Sequence, residues 1–506
     1  MRKLTKLLTS RLFWFAISMV LQLLAVACMV FWVSFMYGWA IFFMALSVVL
    51  GFVVFSRPEK SDYKCVWLFL ICILPLFGGV LYMLCANKRL GRFSRKKTAP
   101  YRKQLPAADA YFENAGNVIE SVTPEYARLA KYLKNVTGFN AWTGTEIQYF
   151  LYPDDFFNDM LKEVAKAEKT IFIEYFIIAH GHWWDQLLDI LAEKVKQGVD
   201  VRIIYDEMGS ISVLPKGYEK SLRKLGIRCC LFNPVRFHFN PRLNFRDHRK
   251  IFCIDSNLCY TGGLNIADEY SNDLIRFGYW KDNAIKLRGA AVWNFTYMFL
   301  EMWMCLTGDK DDLAAYVPTV SARSDGIVLP FGDNPMVNDT SAEDTYIQII
   351  QNAKKYVWIT TPYLIPDDAM TNALIMAAKS GVDVRIVVPR YPDKKSIFEV
   401  TQSNFETLLK NGVRLYSYTP GFIHSKMFLA DDEIAVVGTT NIDYRSFYLH
   451  FELSVVFILS SILGNIKDDF LNIFEVSEVL SLGGLPRIGF FKGVVRYFFK
   501  LFSAGL

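Results

Sequence analysis

Two short segments of this 506-residue chain carry the same reactive side chains at the same spacing: His248, Lys250 and Asp255, then His424, Lys426 and Asp431. Each is followed at equal distance by a glycine and an asparagine, Gly262 and Asn265 in the first, Gly438 and Asn441 in the second. The chain holds only six histidines, and composition alone yields roughly one unselected His-x-Lys-x4-Asp in several tens of such chains. Two copies with matching tails therefore mark a duplication. Together they supply two imidazoles and two ammonium groups, a set suited to cutting and rejoining a phosphodiester without a metal. The non-bridging oxygens of a phosphodiester repel a nucleophile and gather charge in the transition state, so two lysines and two asparagine amides aimed at them give fixed electrostatic stabilisation. A neutral imidazole attacks phosphorus to form a phosphohistidine. The other imidazole, protonated, donates to the leaving alkoxide and then deprotonates the incoming alcohol. One copy alone would lack the acid.

Both motifs read as strands, on which residues two apart share a face, so His and Lys of each copy project together. The aspartates have the opposite parity and begin turns (Asp255-Ser-Asn and Asp431-Asp-Glu), which suits them to bracing the strand end. The chain after each turn is expected to return antiparallel and bring Asn265 or Asn441 beside the His/Lys face. A carboxylate should hold the far nitrogen of each imidazole: Glu452, on the apolar run after Asn441, is assigned to His424, and Asp282 to His248. His180, His182, His238 and His450 are assigned to packing or substrate contact. There is no HExxH, no clustered carboxylate spacing and no GxxxxGK[ST] loop, so neither a metal, nor another cofactor, nor nucleoside triphosphate chemistry is expected.

The elements that must position these groups repeat as well. A helical stretch, 156–169, precedes the strand run Thr170–Ile178; a helix at 184–197 ends at Gly198 and a strand follows at 200–205. The later half replays the order with a strand at 357–360, a helix at 369–380 ending at Gly381 and a strand at 383–389. Gly198–Arg202 and Gly381–Arg385 are the same five residues, GVDVR, and Leu225-Gly-Ile-Arg228 is loosely matched by Asn411-Gly-Val-Arg414. Helix–glycine–strand alternation predicts an α/β fold with covered sheets. Two units of about 180 residues are too few and too long for a solenoid, and predict two α/β halves packed about a pseudo-two-fold axis that brings the motifs together.

The composition is 52% hydrophobic and 15% aromatic, too apolar for a wholly water-exposed protein, and the excess is N-terminal. No charge occurs in the 44 positions from Leu12 to Phe55, about twice what one spanning helix needs. The expectation is N-terminal transmembrane helices at 12–33 and 39–55, with a third apolar run at 65–86 that Pro75, Gly78 and Gly79 could break or keep shallow. Residues 88–103 carry eight Lys/Arg and no acid, which by the positive-inside rule places them in the cytoplasm. Arg2, Lys3, Lys6 and Arg11 ask for the same side at the N-terminus, which three spans cannot also satisfy, so either one run is interfacial or re-entrant or the weaker N-terminal charge yields. The expectation is a multi-pass plasma-membrane protein with a cytoplasmic catalytic region. In the C-terminal segment Lys492, Arg496 and Lys500 form one stripe on an otherwise apolar helix, a pattern for lying on an anionic membrane. The nine cysteines have no ligand-like spacing and read as buried thiols. The expected layout is an anchor (1–87), a basic linker with a short helix (88–138), two α/β halves (139–320 and 321–480) and the amphipathic C-terminal helix (481–506).

With these motifs the chain resembles the phospholipase D superfamily, whose hallmark is a duplicated HxKxxxxD, and more narrowly the bacterial cardiolipin synthases. The narrower likeness rests on residues 74–79 (LPLFGG), 244–250 (NFRDHRK), 262–266 (GGLNI) and 361–363 (TPY), and covers most of the chain from about residue 40. It implies two phospholipase D-like halves, and transfer of a phosphatidyl group from one phosphatidylglycerol to a second with release of glycerol. It also implies that the first histidine, His248, is the nucleophile and His424 the acid and base. The partners so implied are phosphatidylglycerol and anionic membrane lipids rather than nucleic acid, and a homo-oligomer is compatible with them. A phospholipase or another headgroup transferase would share the chemistry and differ in the acceptor. A membrane-tethered nuclease has only the basic stretch 88–103 in its favour.

Overall fold

Runs rich in β-branched and aromatic residues with little charge make strands covered on both faces, and the computed structural model of the chain builds two sheets from such runs. The structure describes residues 11–31, 37–57, 60–85, 124–234, 245–336, 339–486 and 488–501, with the side chains at 11–12, 29–31, 37, 40, 62, 75 and 83–85 outside the description. His238 and the basic segment 88–103 lie outside the described residues.

The first half contains β1 (Thr145–Phe150), β2 (Thr170–Tyr175), β3 (Asp200–Asp206), β4 (Arg228–Phe232), β5 (Arg246–Asp247), β6 (Lys250–Ile254), β7 (Leu258–Gly262), β8 (Tyr279–Lys281) and β9 (Ala284–Gly289). The second contains β10 (Ile327–Asp333), β11 (Tyr356–Thr360), β12 (Leu364–Ile365), β13 (Asp383–Pro389), β14 (Arg414–Tyr418), β15 (Gly421–Ile423), β16 (Met427–Ala430), β17 (Ile434–Gly438), β18 (Ile442–Asp443), β19 (His450–Ile458) and β20 (Ser477–Val479). The sheet orders are β1-β9-β7-β6-β2-β3-β4 and β10-β19-β17-β16-β11-β13-β14-β20. Position by position the first seven strands correspond, and in both sheets the last three of the seven run parallel and the others antiparallel. The duplication seen in the motifs therefore extends to whole sheets, with β20 added at one edge.

The helix Val292–Thr307 is buried almost all round, as its lack of a polar face requires. It joins the halves: Phe299 stacks on Phe172 of β2 at 4.7 Å, and Asn294 Nδ2 donates to the Pro330 carbonyl of β10 at 2.7 Å.

The motif strands form the matching hairpins β6–β7 and β16–β17. Their turns place Asp255 and Ser256, and Asp431 and Asp432, at positive φ, a conformation that short polar aspartate tolerates better than most residues. Each aspartate then ties the hairpin to the start of its neighbouring strand. Asp255 accepts from the amides of Glu168, Lys169 and Thr170 at 2.7–2.9 Å, and Asp431 from those of Lys354, Lys355 and Tyr356 at 2.6–2.9 Å. Both carboxylates brace backbone.

Among the described residues the two sheets fall in one compact unit, within 124–234 and 245–490, and a second unit takes those within 11–85 and 491–501. Its described helices are Arg11–Phe31, Tyr37–Phe55, Ser61–Ile73 and Pro75–Cys85, together with most of Phe490–Leu501. The apolar run at 65–86 is broken at Leu74, whose φ of −128° and ψ of 73° reflect the clash that keeps a residue before proline out of helix. Among the described residues no helix is long and apolar enough to cross a membrane. These helices nevertheless expose many large apolar side chains, including Trp14, Leu23, Ile41, Phe42, Met44, Phe52 and Phe55.

Candidate active site

The histidines do not lie on the strands that were expected to carry them. β6 begins at Lys250 and β16 at Met427, so each histidine sits in the extended lead-in to its strand, and each lead-in is held by the other half. Strand β5 pairs in parallel with β19, placing Arg246 opposite His450 and Asp247 opposite Phe451, and the His248 amide donates to the Phe451 carbonyl at 2.9 Å. Strand β8 pairs in parallel with β15, and the His424 amide donates to the Lys281 carbonyl at 2.7 Å. In both cases the residue after that carbonyl supplies a carboxylate. Glu452 Oε2 lies 2.9 Å from His248 Nδ1, and Asp282 Oδ2 lies 2.6 Å from His424 Nδ1.

This corrects the sequence-based pairing of Glu452 with His424 and of Asp282 with His248. The partners are exchanged between the halves because β8 pairs only with β15, and the start of β19 pairs with β5, each a strand of the opposite half. The two carboxylates are equivalent: Asp282 stands two residues before Ala284, which faces Gly262, and Glu452 stands two before Ser454, which faces Gly438. The glycines are needed there. A Cβ on Gly262 or Gly438 would come within 2.4 Å of the Asn283 or Leu453 carbonyl oxygen. A Cβ on Gly263 would lie 1.9 Å from Asp282 Oδ1, so this position must be bare for the carboxylate to fit. The counterpart of Gly263 is Thr439, whose hydroxyl donates to Glu452 Oε2.

The four motif side chains are buried in one electrostatic cluster. His248 and His424 are each 7% exposed, Lys250 is 0% and Lys426 3%. Each lysine ammonium donates to the carbonyl of the histidine two residues before it, Lys250 at 2.9 Å and Lys426 likewise. Burial pulls Lys250 down to about 8, against the pull of Glu452, Asp282 and Asp247. It pulls Lys426 down to about 7, with Lys250 adding repulsion and Asp282 and Glu452 opposing it. Burial also holds His248 well below the ordinary imidazole value, and Lys250, Lys426, His424 and Lys394 push the same way. His424 is held at about 4, where Asp282 offsets part of the burial and of the Lys426 repulsion. Both rings are thus neutral near pH 7 in the empty site. Asp282 is buried yet held below the usual carboxylate value, because His424 and Lys426 outweigh desolvation.

The two asparagines differ. Asn265 accepts from the Ile177 amide at 3.1 Å and donates to the Tyr270 hydroxyl at 2.6 Å; the Tyr270 ring packs 5.6 Å from that of His424. Asn265 therefore supports the wall beside His424. Asn441 is buried, and its Oδ1 has no hydrogen-bond partner.

Three neighbours escaped the sequence reading of the centre itself: Thr439, Trp280 and His450. The Trp280 ring lies 5.1 Å from His424, and the His450 ring 5.6 Å from His248. A signal for the last two existed, since each stands two residues before a carboxylate in extended chain and so shares its side. His248, His450 and Glu452 each offer a ligand atom, and these atoms lie within 4.8 Å of one another. Lys250 and Lys426 act on the same Glu452, so a dication there would meet two ammonium groups. The donor set fits an imidazole–carboxylate network better than a metal centre.

Comparison with known proteins agrees with this architecture. The family described as "Cardiolipin synthase, PLD-like domain" matches residues 160–273 and 346–474, one stretch in each half. The chain is 33% identical over 479 residues to a cardiolipin synthase of Alkalihalophilus pseudofirmus, covering 93% of this chain and 94% of that protein. It is 32% identical over 472 residues to cardiolipin synthase 2 of Bacillus cereus, covering 91% and 90%. Among solved structures, phosphatidylserine synthase of Haemophilus influenzae superposes with a TM-score of 0.57 at 16% identity, over 75% of this chain and 97% of that one, a likeness of fold.

Proposed function

The chain belongs to the cardiolipin synthases of the phospholipase D superfamily and is a phosphatidyltransferase, and from that premise we propose that it transfers a phosphatidyl group from one phosphatidylglycerol to the hydroxyl of another, giving cardiolipin and glycerol. The observation that carries the mechanism is the reciprocal exchange of carboxylates, which leaves two oriented imidazoles and two ammonium groups in one buried cluster.

As the anionic phosphodiester binds, His424 takes up a proton from solvent; His248 then attacks phosphorus with its free ring nitrogen, the bond from phosphorus to the glycerol oxygen breaks, and His424 gives that oxygen the proton. The hydroxyl of the second phosphatidylglycerol then loses its proton to His424 and attacks phosphorus. The phosphorus–nitrogen bond breaks, and His248 returns to its starting state. His424 suits the acid role because Asp282 favours its charged form, and the negative phosphodiester entering between the lysines adds to that bias. Lys250 and Lys426 stabilise the charge gathering on the non-bridging oxygens, and Asn441 is the asparagine free to contact substrate. Asp255 and Asp431 hold the hairpins that carry the motifs.

The lipid substrate requires a membrane surface. The exposed apolar side chains of the N-terminal helices, and Phe490, Phe491, Val494, Val495, Tyr497 and Phe498 on the C-terminal helix, are suited to apolar lipid, and the basic stretch 88–103 to anionic headgroups. The reading therefore places the enzyme on the plasma membrane by these segments, facing the cytoplasm.

Purified protein given defined phosphatidylglycerol vesicles should yield cardiolipin and glycerol in equal amounts by mass spectrometry. Phosphatidic acid as the sole lipid product would overturn the transferase reading in favour of hydrolysis.

The lysines predict a pH dependence. Each is charged below its lowered value and neutral above it, so transition-state stabilisation is lost as pH rises. The kcat/KM, which reports the free enzyme, should fall as pH passes from about 7 to about 8. A profile still flat at the ordinary lysine value would show that neither ammonium is needed.

A further inference from the structure

The two imidazoles are presented alike and differ in one neighbour. The residue two before Asp282 is Trp280, beside His424; the residue two before Glu452 is His450, beside His248. His450 is 8% exposed, and neither of its ring nitrogens has a hydrogen-bond partner. Its Nδ1 lies 3.4 Å from Glu452 Oε1, an oxygen that also has no hydrogen-bond partner. Glu452 Oε2, by contrast, is approached by His248 Nδ1 and by the Thr439 hydroxyl. Burial keeps His450 neutral, at about 3, so one nitrogen carries a hydrogen with nowhere else to place it. A separation of 3.4 Å is too long for a good hydrogen bond, but contacts of this kind often tighten only when substrate is bound.

We propose that His450 is a positioning residue for His248, donating from Nδ1 to Glu452 Oε1 when the site is occupied and so fixing the carboxylate that orients the nucleophile. With both oxygens held, Glu452 stays turned toward His248 Nδ1 while positive charge develops on that ring during attack on phosphorus. The indole of Trp280 has no equivalent action on Asp282, which instead accepts from the Asn283 amide. His450 thereby makes the two halves inequivalent and assigns the nucleophilic step to His248. The inference deepens the phosphatidyltransferase reading and rests on its covalent step.

The test is rapid-quench measurement of protein-bound phosphorus from radiolabelled phosphatidylglycerol, comparing the wild type with His450→Phe and His450→Asn. Loss of a hydrogen bond to a carboxylate should slow label formation about ten- to a hundredfold in His450→Phe. KM and the rate at which a second alcohol discharges the label should change little. His450→Asn keeps a donor and should recover most of the rate. A merely structural role would slow formation and discharge together and would not distinguish Asn from Phe, and either pattern overturns the proposal. Unchanged label formation in His450→Phe overturns it as well. A wild-type enzyme that carries no label would instead remove the phosphohistidine itself, and the role of His450 with it.

Discussion

His248→Ala is expected to lower cardiolipin formation by about 10⁴-fold or more, and His424→Asn to leave a fraction of the protein carrying acid-labile phosphorus on His248. The asymmetry follows from the division of labour. Without His248 there is no atom to hold the phosphatidyl group, so both chemical steps vanish, as when the nucleophile of a catalytic unit is removed. Without the His424 imidazole the first step is slowed by loss of acid assistance. Any intermediate that forms then meets an alcohol with no base to activate it, so label accumulates. Buried Asp282, left facing an amide, still has a donor in the Asn283 amide at 3.0 Å, which favours folding of the variant. Digestion and mass spectrometry of the labelled protein should place phosphorus on the peptide containing His248. Label on another residue, or an ester linkage that survives acid, would refute the mechanism. Combining His248→Ala with His424→Ala should cost little more than His248→Ala alone, because the groups act as one unit.

The parts of this centre that were legible in the sequence are those fixed by short-range spacing. His-x-Lys-x4-Asp followed by glycine and asparagine encodes a strand, a turn and a returning strand. The hairpins β6–β7 and β16–β17 form as that spacing demands, with Asp255 and Asp431 tying their ends. Helix–glycine–strand order likewise gave Asp200–Asp206 and Asp383–Pro389 within a residue of expectation. What could not be read was the partner of each imidazole. His248 and Glu452 are 204 residues apart, and His424 and Asp282 are 142 apart. They meet through parallel pairings of only two or three residues, too short to leave a periodic pattern. Pairing within one half was the simpler expectation and is wrong, because β8 pairs only with β15 of the other half, and the first two residues of β19 pair with β5 of the other half. Along the C-terminal helix, Lys492 and Lys500 are exposed with Phe490, Phe491, Val494, Val495, Tyr497 and Phe498, and Arg496 is buried.

The exchange of carboxylates has a consequence that the same-half pairing would reverse. Asp282→Asn should impair the steps run by His424, and Glu452→Gln those run by His248. Each substitution keeps shape but removes the charge that fixes an imidazole tautomer and stabilises its protonated form, a loss of about 10²–10⁴-fold where such pairs have been removed. In Asp282→Asn the nucleophile is intact and the acid–base group is disabled, so the covalent intermediate should accumulate, as in His424→Asn. In Glu452→Gln the nucleophile is misoriented, so formation of the intermediate should become limiting and little label should be bound. The environment sharpens the contrast: Asp282 is hydrogen-bonded to His424 and to the Asn283 amide, whereas Glu452 also serves Thr439 and draws on Lys250 and Lys426. Glu452→Gln should therefore also move the basic limb of kcat/KM to lower pH, since each lysine loses an anion that favours its charged form. Measured side by side, label accumulation in Glu452→Gln with none in Asp282→Asn would mean that each carboxylate serves the histidine of its own half, and the interlocked centre described above would be wrong.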